Sequence, residues 1–174
     1  MKLLVVGLDG LSTNMLERFD IDPPFLNAVR SDGVSGDLMS VDTPTTLPAW
    51  TSFATGKDPG SHGLTNMGAV QPDYSRRSLK SNTTDAAAYD LIEDAMFVNL
   101  PASIGRVPTA ENSHLVSAMQ AEDKYDAVPD YLQELDAFED YILDHDKAMK
   151  KQPDKYFDHV CEITRARRAF AREA

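Results

Sequence analysis

Between Thr43 and Gly63 the chain reads TPTTLPAWTSFATGKDPGSHG. Thr45 and Thr46 stand just before Leu47-Pro48, where a helix is expected to begin. A hydroxyl at such a place has two uses. As an N-cap it accepts an N–H of the first turn. As a nucleophile it attacks an electrophile once a metal has lowered its pKa. The same helix start, with its positive dipole end, suits an anion such as phosphate. Asp9 is the second candidate, because it follows the apolar run Leu3–Val6 directly. A carboxylate there either caps a turn or binds a cation. A carboxylate after the first strand and a hydroxyl at a later helix start together form half of a metal-assisted phosphoryl-transfer site.

The elements that must position these groups follow from pattern. Leu3–Val6 is continuously apolar, as buried parallel strands are, and SGDLMSV at 35–41 alternates as a strand does. Ser12 is placed to cap a helix over 13–19, and residues 23–33 predict a second helix with proline at its start and Gly33 past its end. Residues 47–55 predict a helix stopped by Gly56. The polar stretch 68–85 reads as a surface loop, 85–95 as a helix, and 96–100 and 114–119 as strands. Two helices are expected to close the chain. In 128–151, Val128, Tyr131, Leu132, Leu135, Phe138 and Ile142 share a face; in 154–174, Phe157, Val160, Ile163 and Phe170 do. Strand alternating with helix predicts an α/β domain with a mostly parallel sheet flanked by helices.

Composition narrows the function. The net charge of −11 works against binding a nucleic-acid duplex, whose phosphates it repels. The excess lies in residues 81–174, with 19 acidic and 10 basic side chains; it reads as a solvated helical surface or as adaptation to a high-salt cytoplasm. The lone cysteine, Cys161, excludes an internal disulfide and reads as a small buried hydrophobe. No apolar run is long enough to span a membrane, and KLLVV is too short for a secretory leader. The expectation is a soluble, cytoplasmic protein. The first loop, GLDGLS, lacks the G-x-G-x-x-G of a dinucleotide-binding fold.

The segments LLVVGLDG, TPTTLPAWTSFATGKDPGSHG and FVNLPAS resemble, in that order, the alkaline-phosphatase superfamily, in its type I phosphodiesterase/nucleotide pyrophosphatase branch. The resemblance implies an alkaline-phosphatase-like fold and hydrolysis of small-molecule phosphate esters. It makes Asp9 a metal ligand and Thr46 both metal ligand and nucleophile, with Thr45 the alternative one residue away. It places Gly56, Pro59, His62 and Gly63 in a shaping loop, His62 in a structural role, and Asn66 as a donor to a phosphate oxygen. It further implies two divalent ions, of the kind zinc supplies, and two in-line displacements through a phosphothreonine. A sulfatase relative is disfavoured, because Thr46-Leu47-Pro48-Ala49-Trp50 lacks that branch's Cys/Ser and arginine.

The family's remaining ligands include an Asp-His-Gly signature, and the chain has no such tripeptide. Asp144, His145 and Asp146 fall in a charged amphipathic segment, and His114 and His159 have no ligand-like neighbours. Residues 1–174 are therefore expected to be the N-terminal part of one alkaline-phosphatase-like catalytic domain, incomplete by itself: a fragment or truncated product first, or else a chain completed by a partner chain or oligomer. The alternative is a non-catalytic α/β module that binds an anion or a protein.

Overall fold

Local signals account for the first two helices. A computed structural model describes residues 2–78, 84–117, 121, 123–143 and 152–174. By density of contacts the chain divides into two units, residues 1–40 and 41–174. In the first unit, α1 (Thr13–Arg18) begins where Ser12 Oγ accepts the Met15 N–H at 3.2 Å. Helix α2 (Pro24–Asp32) begins on a proline and ends at Gly33. Neither helix buries a residue. Together they line an open cavity of about 320 Å³ with Leu11, Leu16, Leu26 and Arg30.

The two strands expected in this unit do not form. Leu3–Val6 and residues 35–41 carry no strand pairing, and Leu4 is 82% exposed. An apolar run becomes a strand only when a neighbouring strand takes up its N–H and C=O groups. The fold supplies none among the described residues.

The second unit is built on a parallel pair of strands. Before it come α3 (Thr46–Thr55), α4 (Pro59–His62) and an antiparallel hairpin, β1 (Gly68–Val70) with β2 (Arg76–Ser78). The hairpin lies inside the stretch expected to be a loop. Its turn is held by Asp73 Oδ1, which accepts the Ser75 N–H at 3.0 Å. A single turn, α5 (Ala88–Leu91), leads into β3 (Ala95–Val98), which pairs in parallel with β4 (Ser113–Val116). The helix expected over 85–95 is shortened to α5 because Asp94 turns the chain at φ +51 and its N–H joins Glu111. Residues 79–83 and 118–120 lie outside the described residues.

Strand alternation sends the two faces of this pair to different helices. Phe97 and Leu115 turn to Ala87, Tyr89 and Leu100, with Trp50 and Ala54 of α3 packed on them. Met96, Val98 and Val116 turn to Val128, Leu132, Phe138, Tyr141 and Phe170. Helices on both faces of parallel strands make this unit α/β, with the antiparallel hairpin as its departure from a mostly parallel sheet. Burying a side chain such as Phe170 or Val116 contributes about 1.5–3 kcal/mol.

The second face is not covered by the long helix expected over 128–151. The short helix α6 (Lys124–Ala127) ends just before that stretch, which forms a 3-10 turn (Asp130–Leu132) and α7 (Asp136–Glu139) among its described residues. Pro129 forces Val128 into extended backbone and stops α6. Val128, Leu132 and Phe138 still reach the core, but Tyr131 is 51% exposed. Asp144, His145 and Asp146 lie outside the described residues. Helix α8 (Pro153–Glu173) forms as expected and buries Ile163 and Phe170, while Phe157 is 67% exposed and Cys161 is half-buried rather than buried. No described helix is long and apolar enough to cross a membrane.

Candidate functional site

Thr45 and Thr46 meet the start of α3 in different ways. Thr45 is the N-cap residue, with extended backbone at φ −112 and ψ 158, and Thr46 is the first helical residue. The N-cap hydroxyl commonly accepts a first-turn N–H. Thr45 does not: its side chain makes no capping bond, and its Oγ1 is buried without a hydrogen-bond partner. Ala49 N–H bonds instead to the Thr45 carbonyl at 3.0 Å. Pro48 brings no N–H, so Thr46 and Leu47 are the remaining N–H carriers of the first turn. The usual N-cap bond is therefore not made by Thr45, and Thr46 stands one residue past the N-cap position.

Two glycines close the loop that follows. Gly56 ends α3 at φ +68 and Gly63 ends α4 at φ +78, in the left-handed region where a Cβ is costly. Asp58 caps α4, and Ser61 donates both its hydroxyl and its N–H to that carboxylate. Those two bonds hold the Asp58 carboxyl below the usual carboxylate range. His62 is buried and returns α4 to α3: its Nε2 is 2.9 Å from Ser52 Oγ, and its Nδ1 accepts the Leu64 N–H at 3.1 Å. Both ring nitrogens are engaged, which is the geometry of a structural histidine.

Beyond the loop, Asn66 is exposed, and its Oδ1 accepts the Met67 N–H at 2.8 Å. Its NH2 is the end left to act as a donor. Thr45, Thr46, the glycine-bounded loop and Asn66 all belong to the second unit. Asp9 belongs to the first. It sits exposed in a turn closed by the Leu11 N–H to Leu8 C=O bond at 3.3 Å, with Gly10 at φ +71.

The described residues do not fit a two-ion centre. Among them, no group of three or more His, Cys, Asp or Glu is placed to hold a metal. Each described histidine has another partner. His62 is held by Ser52 and Leu64, His114 Nδ1 bonds the Tyr131 hydroxyl, and His159 Nδ1 lies 3.4 Å from Glu162. Asp9 and Thr46 are too few for one closed site, still less two.

Pattern reading overlooked one group. Asn99, directly after β3, accepts a 2.8 Å bond from the Tyr141 hydroxyl. Its motif, FVNLPAS, is visible in the sequence, but its partner lies 42 residues on.

Comparison with known proteins gives one positive result. The model of the family described as type I phosphodiesterase / nucleotide pyrophosphatase matches residues 3–169. No curated protein and no solved structure matches the chain.

Proposed function

The chain belongs to the type I phosphodiesterase/nucleotide pyrophosphatase family, and on that premise we propose that it acts on small-molecule phosphate esters with Thr46 as nucleophile. The observation that carries this reading is the start of α3. Thr45 holds the N-cap position and Thr46 stands one residue on, as the first residue of the helix, directly before the Leu47-Pro48 pair. On the same premise, β3 and β4 are part of an alkaline-phosphatase-like sheet.

The chemistry available to this chain's own groups is a double displacement. Thr46 Oγ forms a bond to phosphorus as the bond to the leaving oxygen breaks. The hydroxyl proton passes to solvent or to the leaving oxygen. Water then attacks phosphorus, the Thr46 ester bond breaks, and the hydroxyl is restored. The positive end of α3 stabilises charge on the phosphoryl oxygens, and the Asn66 NH2 donates to one of them. Family membership further implies divalent ions, which would lower the hydroxyl pKa and neutralise phosphoryl charge, and makes Asp9 and Thr46 each a candidate ligand. The described residues do not complete such a centre.

The test is turnover of a chromogenic phosphate diester by the purified chain with added zinc, beside Thr46→Ala and Thr45→Ala. Loss confined to Thr46→Ala supports the reading. Loss confined to Thr45→Ala moves the nucleophile one residue back. A second reading, a non-catalytic anion-binding module, is favoured by the misfit to a metal centre. It predicts a folded chain without turnover even when concentrated enough to self-associate.

A further inference from the structure

The carboxyl end of the β3–β4 pair holds a polar cluster that the threonine chemistry leaves unused. Such strand ends are where open α/β sheets gather ligands. Asn99 is the first residue past β3. It sits in the left-handed region at φ +58, which asparagine tolerates better than most residues. Its N–H donates to the Val116 carbonyl at 2.8 Å.

The side chain of Asn99 is fixed at one end only. Tyr141 is 3% exposed, and its hydroxyl donates to Asn99 Oδ1 at 2.8 Å. The direction of that bond follows from burial, since the phenol proton has no other described acceptor and would be left unpaired if the amide were turned. With Oδ1 held, the planar carboxamide puts Nδ2 on its other branch. No described residue accepts from Nδ2, and Asn99 is only half-buried. The turn beyond is locked as well. Ser103 donates to the Leu100 carbonyl at 2.5 Å, which leaves Ser117 as the donor across the 2.6 Å contact between the two hydroxyls.

A second observation ties this end of the sheet to α3. Trp50 lies one helical turn after Thr46, on the same face of the helix. Trp50 packs against the cluster that contains Leu100, the chain neighbour of Asn99. The face of α3 that carries Thr46 thus also carries a residue packed on that cluster.

We propose that Asn99 is a substrate-binding residue whose side-chain NH2 donates to a phosphate oxygen of the ester handled at Thr46, with Tyr141 as the positioning residue that sets the amide. This rests on the phosphoryl-transfer reading of Thr46. The test is a titration of the ¹⁵N-labelled chain with inorganic phosphate, following the Asn99 side-chain amide pair, which Asn99→Asp identifies by its loss. The expected result is a saturable shift of that pair. Asn99→Gly and Asn99→Asp both accept the left-handed backbone, and each should weaken phosphate binding by about tenfold or more. Tyr141→Phe should weaken it less and should move the Asn99 pair even without phosphate. An Asn99 pair that stays still at phosphate saturation overturns the proposal. So does an Asn99→Gly chain that binds phosphate like the parent, or a folded parent that binds none. A chain with Thr46-dependent turnover and an unmoved Asn99 pair loses this proposal alone. A chain without turnover whose Asn99 pair still shifts loses only the catalytic reading.

Discussion

The imidazole of His62 donates its Nε2 proton to Ser52 Oγ across 2.9 Å. The direction is set on the other side of the ring, where Nδ1 accepts the Leu64 N–H at 3.1 Å. A neutral imidazole has one N–H, and it must be at Nε2. A serine activated by histidine needs the opposite arrangement, with the serine proton offered to the ring. The Ser52–His62 pair therefore resembles a nucleophile and its base in proximity alone. Its physical work is to fasten the end of α4 to α3.

Stability separates these two residues. His62→Ala removes a buried ring and two hydrogen bonds, and urea unfolding should show a loss of about 2–4 kcal/mol. Ser52→Ala should cost about 1 kcal/mol and leave any diester turnover unchanged. Turnover abolished in a folded Ser52→Ala chain would return Ser52 to the list of nucleophiles.

Alkaline pH should weaken the core around Phe138 and Phe170 through Tyr141. Burial pushes its phenol from the ordinary 10 up to about 12, opposed by the nearby Arg167. The folded state holds the proton more tightly than the unfolded state does. The contribution is therefore complete below pH 10 and is lost as pH rises toward 12, about 2–3 kcal/mol in all. Tyr89 and Tyr131 are also raised by burial. The measurement is thus the difference between the parent and Tyr141→Phe in unfolding free energy from pH 9 to 12. A difference that does not change with pH would contradict it.

Glu173 should act as a cap supplied from outside the helix it caps. Its two carboxylate oxygens accept the Asp136 N–H at 3.2 Å and the Ala137 N–H at 2.8 Å, at the start of α7. No side chain of α7's own N-cap residue, Leu135, can do this. Glu173→Ala should cost about 1 kcal/mol, in the range of a lost N-cap, and Glu173→Gln somewhat less. Thermal melts of both variants would show it. An unchanged midpoint would mean that water replaces the carboxylate.

Hydrogen exchange should divide the chain along its two units. Helices α1 and α2 bury no residue, whereas Val116 of β4 lies in the larger core cluster. Amides with few buried contacts open locally, at a small fraction of the global unfolding free energy. The amides of α1 and α2 should exchange well before those of Phe97 and Leu115. Equal protection in both units would show that apolar contacts other than those described cover residues 1–40.

Helix ends proved readable where a single residue carries the cue. Ser12, Pro24, Gly33 and Gly56 each act on backbone within a few positions, so α1, α2 and α3 stand where those residues put them. The α3 start was legible to within one residue, and the choice of which threonine caps it was not. The long helix over 128–151 failed at Pro129, whose effect on Val128 is also local and could have been given more weight. The strands expected at Leu3–Val6 and 35–41 failed for another reason. Alternation and apolarity report that a segment could be buried, and only a partner strand can bury it.

The amino-acid sequence by itself determined the family, because the threonine-centred motif and its glycine-bounded loop are contiguous text between Thr43 and Gly63. It also determined the helix ends, which depend on hydrogen bonds made within one turn. The tertiary structure decided which groups near that motif are occupied. It engaged His62 on both nitrogens, left the Thr45 hydroxyl without a partner, and set the Asn99 amide through a tyrosine 42 residues away. Those outcomes depend on chain segments far apart in sequence meeting at hydrogen-bond distance, and no local pattern encodes which of them will meet.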